Sequence, residues 1–151
     1  MSLYARGLRN KNPFNIKFST KQKWLGQVRS DGTFVVFSNL DYGVRAAIKL
    51  FFHYIRYYDC HSIKDIINRF APASENRTNL YIDFIKARIN NPDVVFVYDK
   101  LDFYTFFNLL RLIIRYECGL TYAECLNYGF TDEYFYRIIK NFKLYEKEKL
   151  A

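Results

Sequence analysis

Two carboxylates in this sequence stand where helix ends would push their chemistry in opposite directions. Glu117 falls in the last turn of the run from Phe103 to Gly119, and Glu75 lies just ahead of a run that opens at Thr78. A helix C-terminus carries partial negative charge, and apolar neighbours withhold solvation. Both effects favour the protonated form of Glu117. The N-terminal end of a helix does the reverse for Glu75. A carboxylic acid that keeps its proton near neutral pH can serve as a general acid, with an ionised carboxylate opposite it as its complement. Competing readings are structural. An ion pair with Arg111 or Arg115 would hold Glu117 ionised at an ordinary helix end, and Glu75 with Asn76 can simply close the start of the next helix.

The element that must hold Glu117 is a predicted helix of about four turns over residues 103–118. Asp99 or Asp102 can cap its start, and Gly119 stands where a left-handed residue would end it. Its apolar residues cover nearly the whole circumference, which predicts a path through the core. Ahead of it, residues 6–17 are rich in Asn with Gly and Pro, the composition of a structured or binding loop. Two short β-type runs around Asp31-Gly32 predict one hairpin, with the lone tryptophan, Trp24, at its start. Trp24 can stack on a flat ligand face or pack as a core wedge.

Asp41 is expected to open a helix to about Tyr58, and Ser62 to cap another over residues 63–70, stopped by Ala71-Pro72. Residues 72–78 form a polar junction into a helix over roughly 79–89 with Thr78 as its cap. Val94 to Val97 reads as a short extended run. Thr121 and Glu124 have capping-box spacing for a short helix ending at Gly129. Thr131 starts a last helix, expected over residues 131–151. The order of loop, hairpin and helices predicts one α+β, mostly α domain spanning residues 1–151.

Composition narrows the partners. The 151 residues carry a net charge of +8, half are hydrophobic and a fifth aromatic, which excludes disorder and implies attraction to polyanions. Three cysteines, Cys60, Cys118 and Cys125, form an odd set without metal-type spacing, and no cofactor or metal is expected. No apolar run reaches membrane-spanning length, since Asn108, Arg111 and Arg115 interrupt the best one. The N-terminus lacks the apolar core of a signal peptide. A nucleic-acid-binding role ranks last, because neither an RNP-like strand nor a recognition helix flanked by basic residues is present.

Five separated segments then resemble one family in order. Residues 6–16 read Arg-Gly-Leu-Arg-Asn-Lys-Asn-Pro-Phe-Asn-Ile, against a family pattern R-G-I-R-N-N-N-P-G-N-I. Trp24-Leu25-Gly26 matches W-x-G, and Phe34 to Phe37 with Gly43-Val44-Arg45-Ala46 matches F-x-x-F…G-x-R-A. Residues 69–81, Arg-Phe-Ala-Pro-Ala-Ser-Glu-Asn-Arg-Thr-Asn-Leu-Tyr, match R-W-A-P-P-x-E-N-x-T-x-x-Y, and Ile113 to Gly119 matches I-I-R-H-E-N-G. The chain thus resembles phage and prophage proteins with a lysozyme-like, peptidoglycan-cleaving assignment, described as virion structural or lytic proteins.

The resemblance implies a lysozyme-like fold in a circularly permuted arrangement, because the hairpin precedes the catalytic helix in sequence. It implies cleavage of peptidoglycan glycan strands, of muramidase or lytic transglycosylase type, with Glu117 and Glu75 as catalytic residues. Asn12, Asn15, Trp24, Asn76 and Tyr81 become candidates for holding sugar rings, hydroxyls and N-acetyl groups. Glu117 would face the Asn12–Ile16 loop and the hairpin across one cleft. The implied partners are peptidoglycan and other virion proteins. The implied setting is synthesis in a bacterial host cytoplasm, then transport in the virion or delivery to the wall. The chain departs from the pattern at Phe14 for Gly, Phe70 for Trp, Ala73 for Pro and Tyr116 for His, and Tyr116 and Phe14 support a second expectation, an inactive virion or wall-binding protein of the same fold.

Overall fold

A computed structural model describes residues 5–73 and 77–145. Seven helices and one hairpin follow in the order α1 (Arg6–Arg9), β1 (Gln27–Ser30), β2 (Val35–Phe37), α2 (Leu40–Tyr57), α3 (Ile63–Phe70), α4 (Thr78–Lys86), α5 (Phe103–Cys118), α6 (Tyr122–Asn127) and α7 (Asp132–Asn141). The described chain is α+β and mostly helical, its sheet a two-stranded antiparallel ribbon.

α5 forms the spine. Asp102 caps it by accepting from the Thr105 amide, and Gly119, at φ 66°, closes it in the left-handed region where a residue without Cβ is favoured. Phe106, Leu109, Leu110, Ile113 and Ile114 are fully buried along it. Arg111 is buried too, and its guanidinium donates to the Phe130 carbonyl, Asn108 Oδ1 and Asp132 Oδ1. It therefore ties α5 to the start of α7. Arg115 Nε donates to the Leu120 carbonyl at the end of its own helix.

Caps explain the remaining boundaries. α3 and α6 both open on capping boxes, Ser62 with Asp65 and Thr121 with Glu124. α2 begins one residue before the expected Asp41, because Asn39 supplies the cap by accepting from the Tyr42 amide. Asp41 instead accepts from the Tyr134 hydroxyl at 2.8 Å and links α2 to α7. Thr78 is no cap: its hydroxyl donates to the Ala71 carbonyl at 2.6 Å, and α4 starts at Thr78 itself and ends at Lys86. The expected extended run at 94–97 pairs with no strand among the described residues; it hydrogen-bonds to His61, whose carbonyl accepts from the Phe96 amide and whose Nδ1 lies 2.8 Å from the Phe96 carbonyl.

The final helix, expected over residues 131–151, ends early at Asn141, and residues 146–151 of that expectation lie outside the described residues. Lys143 adopts φ 52°, the Lys143 amide bonds to the Lys140 carbonyl, and the Leu144 amide bonds to the Ile139 carbonyl. This paired closure ends α7 at Asn141. Tyr145 then folds back, its hydroxyl donating to the Tyr98 carbonyl at 2.6 Å. Residues 6–9, expected as loop, form the single turn of α1.

The hairpin rests on the N-terminal loop rather than standing alone. Amides of Phe18, Val35 and Phe37 bond to the carbonyls of Thr33, Ile16 and Asn10, so residues 10–18 run beside β2 as an irregular third edge. Two glycines allow this loop to wedge between helices. A Cβ at Gly7 would come within 2.8 Å of the Asn12 carbonyl oxygen and 3.2 Å of Cys118 Sγ, and one at Gly43 within 2.0 Å of the Lys11 carbonyl oxygen. The loop is thereby pressed against the end of α5 on one side and the start of α2 on the other.

Candidate functional site

Where the loop meets the end of α5, the carboxyl of Glu117 is held from two sides. Tyr81, on α4, donates its hydroxyl to Oε2 at 2.6 Å, and Asn15 Nδ2 donates to Oε1 at 2.9 Å. Neither Arg111 nor Arg115 pairs with it, since Arg111 is committed to the Phe130 carbonyl and Asp132 and Arg115 to the Leu120 carbonyl. Burial is the largest influence on this acid and raises its pKa above the ordinary carboxylate value. The Tyr81 and Asn15 hydrogen bonds and the nearby Lys17 charge oppose that rise without cancelling it. Glu117 thus holds its proton more tightly than an ordinary carboxyl, in a cradle that can still accept the charge when the proton leaves.

The cradle is itself rigid. Tyr81 is 1% exposed, and burial together with the Glu117 charge raises its own pKa well above the usual phenol value. It therefore stays a neutral donor. Its ring stacks on Tyr116 with centroids 3.8 Å apart, so Tyr116 buttresses the ring that holds the acid. Asn15 takes the left-handed backbone that its short polar side chain tolerates, at φ 52°. Its Oδ1 is buried without a hydrogen-bond partner. Cys118 Sγ donates to the Pro13 carbonyl at 3.3 Å and fixes the loop to α5 a second time.

In front of Glu117 opens a cleft of about 360 Å³. Its walls come from the loop and hairpin (Asn15, Lys17, Trp24, Phe34), from Gln22, and from α2 and α3 (Leu50, Tyr54, Phe70). This is the size and mixed lining of a small-ligand site. Burial pushes the Tyr54 hydroxyl up to about 12, so it too remains un-ionised. Glu117 is the one acid among the described residues that line the cleft.

The far wall is moored by Asp31 at the hairpin turn. Its carboxylate accepts from Arg6 Nε at 2.6 Å, from Asn10 Nδ2, and from the amides of Thr33 and Phe34. The Arg6 hydrogen bond first, then those amides and Asn10, hold it far below the usual carboxylate range.

The structure brings together four of the seven residues singled out from sequence: Glu117, Asn15, Trp24 and Tyr81. Two need correction as ligand-holding groups. Asn12 is fully buried, and its amide is spent on the Ile16 carbonyl, the Val35 carbonyl and the Ile16 amide. It pins the loop to β2 and faces no cleft. Tyr81 holds Glu117 and presents nothing to a ligand. Glu75 and Asn76 lie outside the described residues. Sequence reasoning missed Lys17, Gln22, Tyr54 and Leu50. Tyr54 belongs to the Tyr-rich margin of α2, a visible signal, whereas Gln22 carries none. Among the described residues no group of three or more His, Cys, Asp or Glu could hold a metal ion, and no helix is long and apolar enough to cross a membrane.

Comparison with known proteins adds one relative. Protein P5 of Pseudoalteromonas phage PM2 is 39% identical over 92 residues. The match covers 58% of this chain and 58% of that protein. No family model matches the chain.

Proposed function

We propose that this chain cleaves the glycan strands of peptidoglycan with Glu117 as general acid, on a lysozyme-like, circularly permuted scaffold. The observation that carries the reading is a buried carboxyl, held by Tyr81 and Asn15 and raised in pKa by that burial, at the floor of a cleft walled by Trp24, Phe34 and Tyr54. Sugar rings offer flat apolar faces and polar edges. Aromatic rings pack against the first, and Asn15, Gln22 and Lys17 match the second.

A sugar alkoxide leaves slowly unless the bridging oxygen is protonated as its bond to the anomeric carbon breaks, and Glu117 supplies that proton. With Glu117 the single acid among the described lining residues, a hydroxyl of the same sugar is the nucleophile we favour. It attacks the anomeric carbon, and its proton passes to the Glu117 carboxylate, which restores the acid. Glu75 offers the other route. A carboxyl about 5 Å away would act as a nucleophile, and one at roughly 6.5–9.5 Å would leave room for an attacking water. The ordered motif resemblance and the phage relative support a phage or prophage origin and a virion-associated role at the cell wall.

The test is clearing of purified peptidoglycan by the wild-type chain and by Glu117→Gln, with mass spectrometry of the fragments. Clearing that disappears with Glu117→Gln, with anhydro-sugar ends, is the expected result. Reducing ends abolished by Glu75→Gln would replace the intramolecular route by hydrolysis. A folded wild-type chain that digests nothing would leave a wall-binding or virion structural protein.

A further inference from the structure

A groove runs along the face of α5 that points away from the Glu117 cleft. Tyr104, Asn108, Arg111 and Arg115 recur at intervals of three and four residues on that face. Glu117, two residues past Arg115 at about 100° per residue, projects from the opposite one. Two hollows, of about 240 Å³ and about 280 Å³, make up the groove. They share Tyr104, Asn108, Arg111 and Tyr122 and so form one continuous surface. Its described lining comes from residues 88–133.

The two ends of the groove carry opposite charge. At one end stand Arg88 and Arg115, and no Asp or Glu is among the described residues that line that hollow. One backbone carbonyl fixes each guanidinium: Arg88 Nη1 donates to Phe84 at 3.0 Å, and Arg115 Nε donates to Leu120 at 3.2 Å. Both heads also lie beside the Phe84 ring, 4.0 and 5.7 Å from its centroid, which holds them in place without neutralising them. Neither makes an ion pair among the described residues, and the Arg115 Nη groups keep all their N–H donors free there. Arg88 is exposed and Arg115 half-buried, so these donors can be reached. In the middle, Arg111 and Asp132 pair at 2.8 Å and cancel. At the other end stands Glu133, exposed and without an ion pair among the described residues. Tyr104 and Tyr122, 60% and 53% exposed, line the stretch between with their rings open.

A surface of this kind complements a ligand that is itself dipolar. Planar carboxylate oxygens match the guanidinium fork, whereas an ammonium is a point charge that one carboxylate can receive. Arg115 stands one turn, about 6 Å along the axis, past Arg111, where the acidic end begins, so the two ends are separated by about two or three extended residues. We propose that this groove binds a short peptide by its two ends, the carboxylate on Arg88 and Arg115 and the ammonium on Glu133. The groove lies across α5 from Glu117, so the assignment does not rest on the peptidoglycan reading.

The test is titration of the full chain at low salt with trialanine, N-acetyl-trialanine and trialanine amide, by calorimetry and by amide shifts. Trialanine should bind, and blocking either end should weaken binding by about tenfold or more. Arg88→Gln/Arg115→Gln should bring trialanine down to the level of its amide, and Glu133→Gln to the level of the acetylated peptide. Should the change at Arg115 disturb α5, Arg88→Gln alone, at an exposed position, should show the same trend with a smaller loss. Lys49→Gln/Lys64→Gln, which removes the same charge elsewhere, and Glu117→Gln should leave binding unchanged. Equal affinity for the three peptides, equal weakening by the two double variants, or no binding at millimolar trialanine would overturn the proposal. So would amide shifts that map to the Glu117 cleft instead of the outer face of α5.

Discussion

Replacing Tyr81 by Phe deletes one oxygen and keeps the ring that stacks on Tyr116. The deleted hydroxyl donates to Glu117 Oε2 at 2.6 Å, so the loss falls on one hydrogen bond to the acid. That bond stabilises the ionised carboxylate more than the neutral acid, which is why it opposes the burial-driven rise in the Glu117 pKa. A hydrogen bond to a charged group is worth about 1.5–3 kcal/mol, and a tenfold change in proton affinity corresponds to about 1.36 kcal/mol. Tyr81→Phe should therefore raise the affinity of Glu117 for its proton by about tenfold to a hundredfold. The direct assay is the 13C resonance of the Glu117 carboxyl followed through pH in both proteins. If Glu117 is the general acid, activity is lost as it deprotonates, so the alkaline limb of the pH–activity profile should move upward by the same amount. A carboxyl that titrates at the same or a lower pH in a folded variant would refute the account of the cradle.

Three further outcomes follow from the same geometry. Because the folded pKa of Glu117 exceeds its ordinary 4.5, the stability tied to its protonated form is full below that value and is lost as pH rises through the folded pKa. Glu117→Gln should therefore gain stability over wild type with rising pH, by about 1.4 kcal/mol for each pH unit between the two values, read by urea unfolding across the window. Asn12→Ala leaves the Ile16 amide without its Asn12 acceptor and takes the Asn12 donor from the Val35 carbonyl in a fully buried setting, while the Ile16 carbonyl keeps the Val35 amide; it should cost about 2–3 kcal/mol by the same measurement. A loss below about 1 kcal/mol would mean that water replaces the side chain. Burial holds the thiols of Cys118 and Cys125 up at about 12 and about 11, so alkylation in mildly alkaline buffer should proceed only at the rate of unfolding.

What could be read in advance was mostly local. Asp102 and Gly119 bracket α5, Ser62 caps α3, and Asp31-Gly32 turns the hairpin, because caps and turns act within three or four residues. Glu117 could be placed at a helix end for the same reason. Its partners could not be read from local pattern. Tyr81 and Asn15 are 36 and 102 residues away in sequence, and the hydroxyl of a Tyr gives no sign of where it will be spent. Thr78 and Asn12 failed for one shared reason. Each has a side chain suited to a local role, and each found a buried backbone partner beyond its own turn, Thr78 at the Ala71 carbonyl and Asn12 at the Val35 carbonyl. The early end of α7 turns on Lys143 adopting a conformation that usually signals Gly or Asn, so its residue type hid the stop.

The Asp31 mooring has a consequence for how this molecule answers to acid. Its carboxylate is stabilised in the fold, so what it contributes is complete above its ordinary 3.8 and fades only as pH falls toward its depressed folded value. Glu117 exchanges its proton on the other side, above 4.5. The two proton events occupy separate stretches of the pH scale. Across the range where Glu117 exchanges its proton the hairpin stays anchored, so a titration of that carboxyl would register a proton at one group while the Asp31 mooring of the far wall is unchanged.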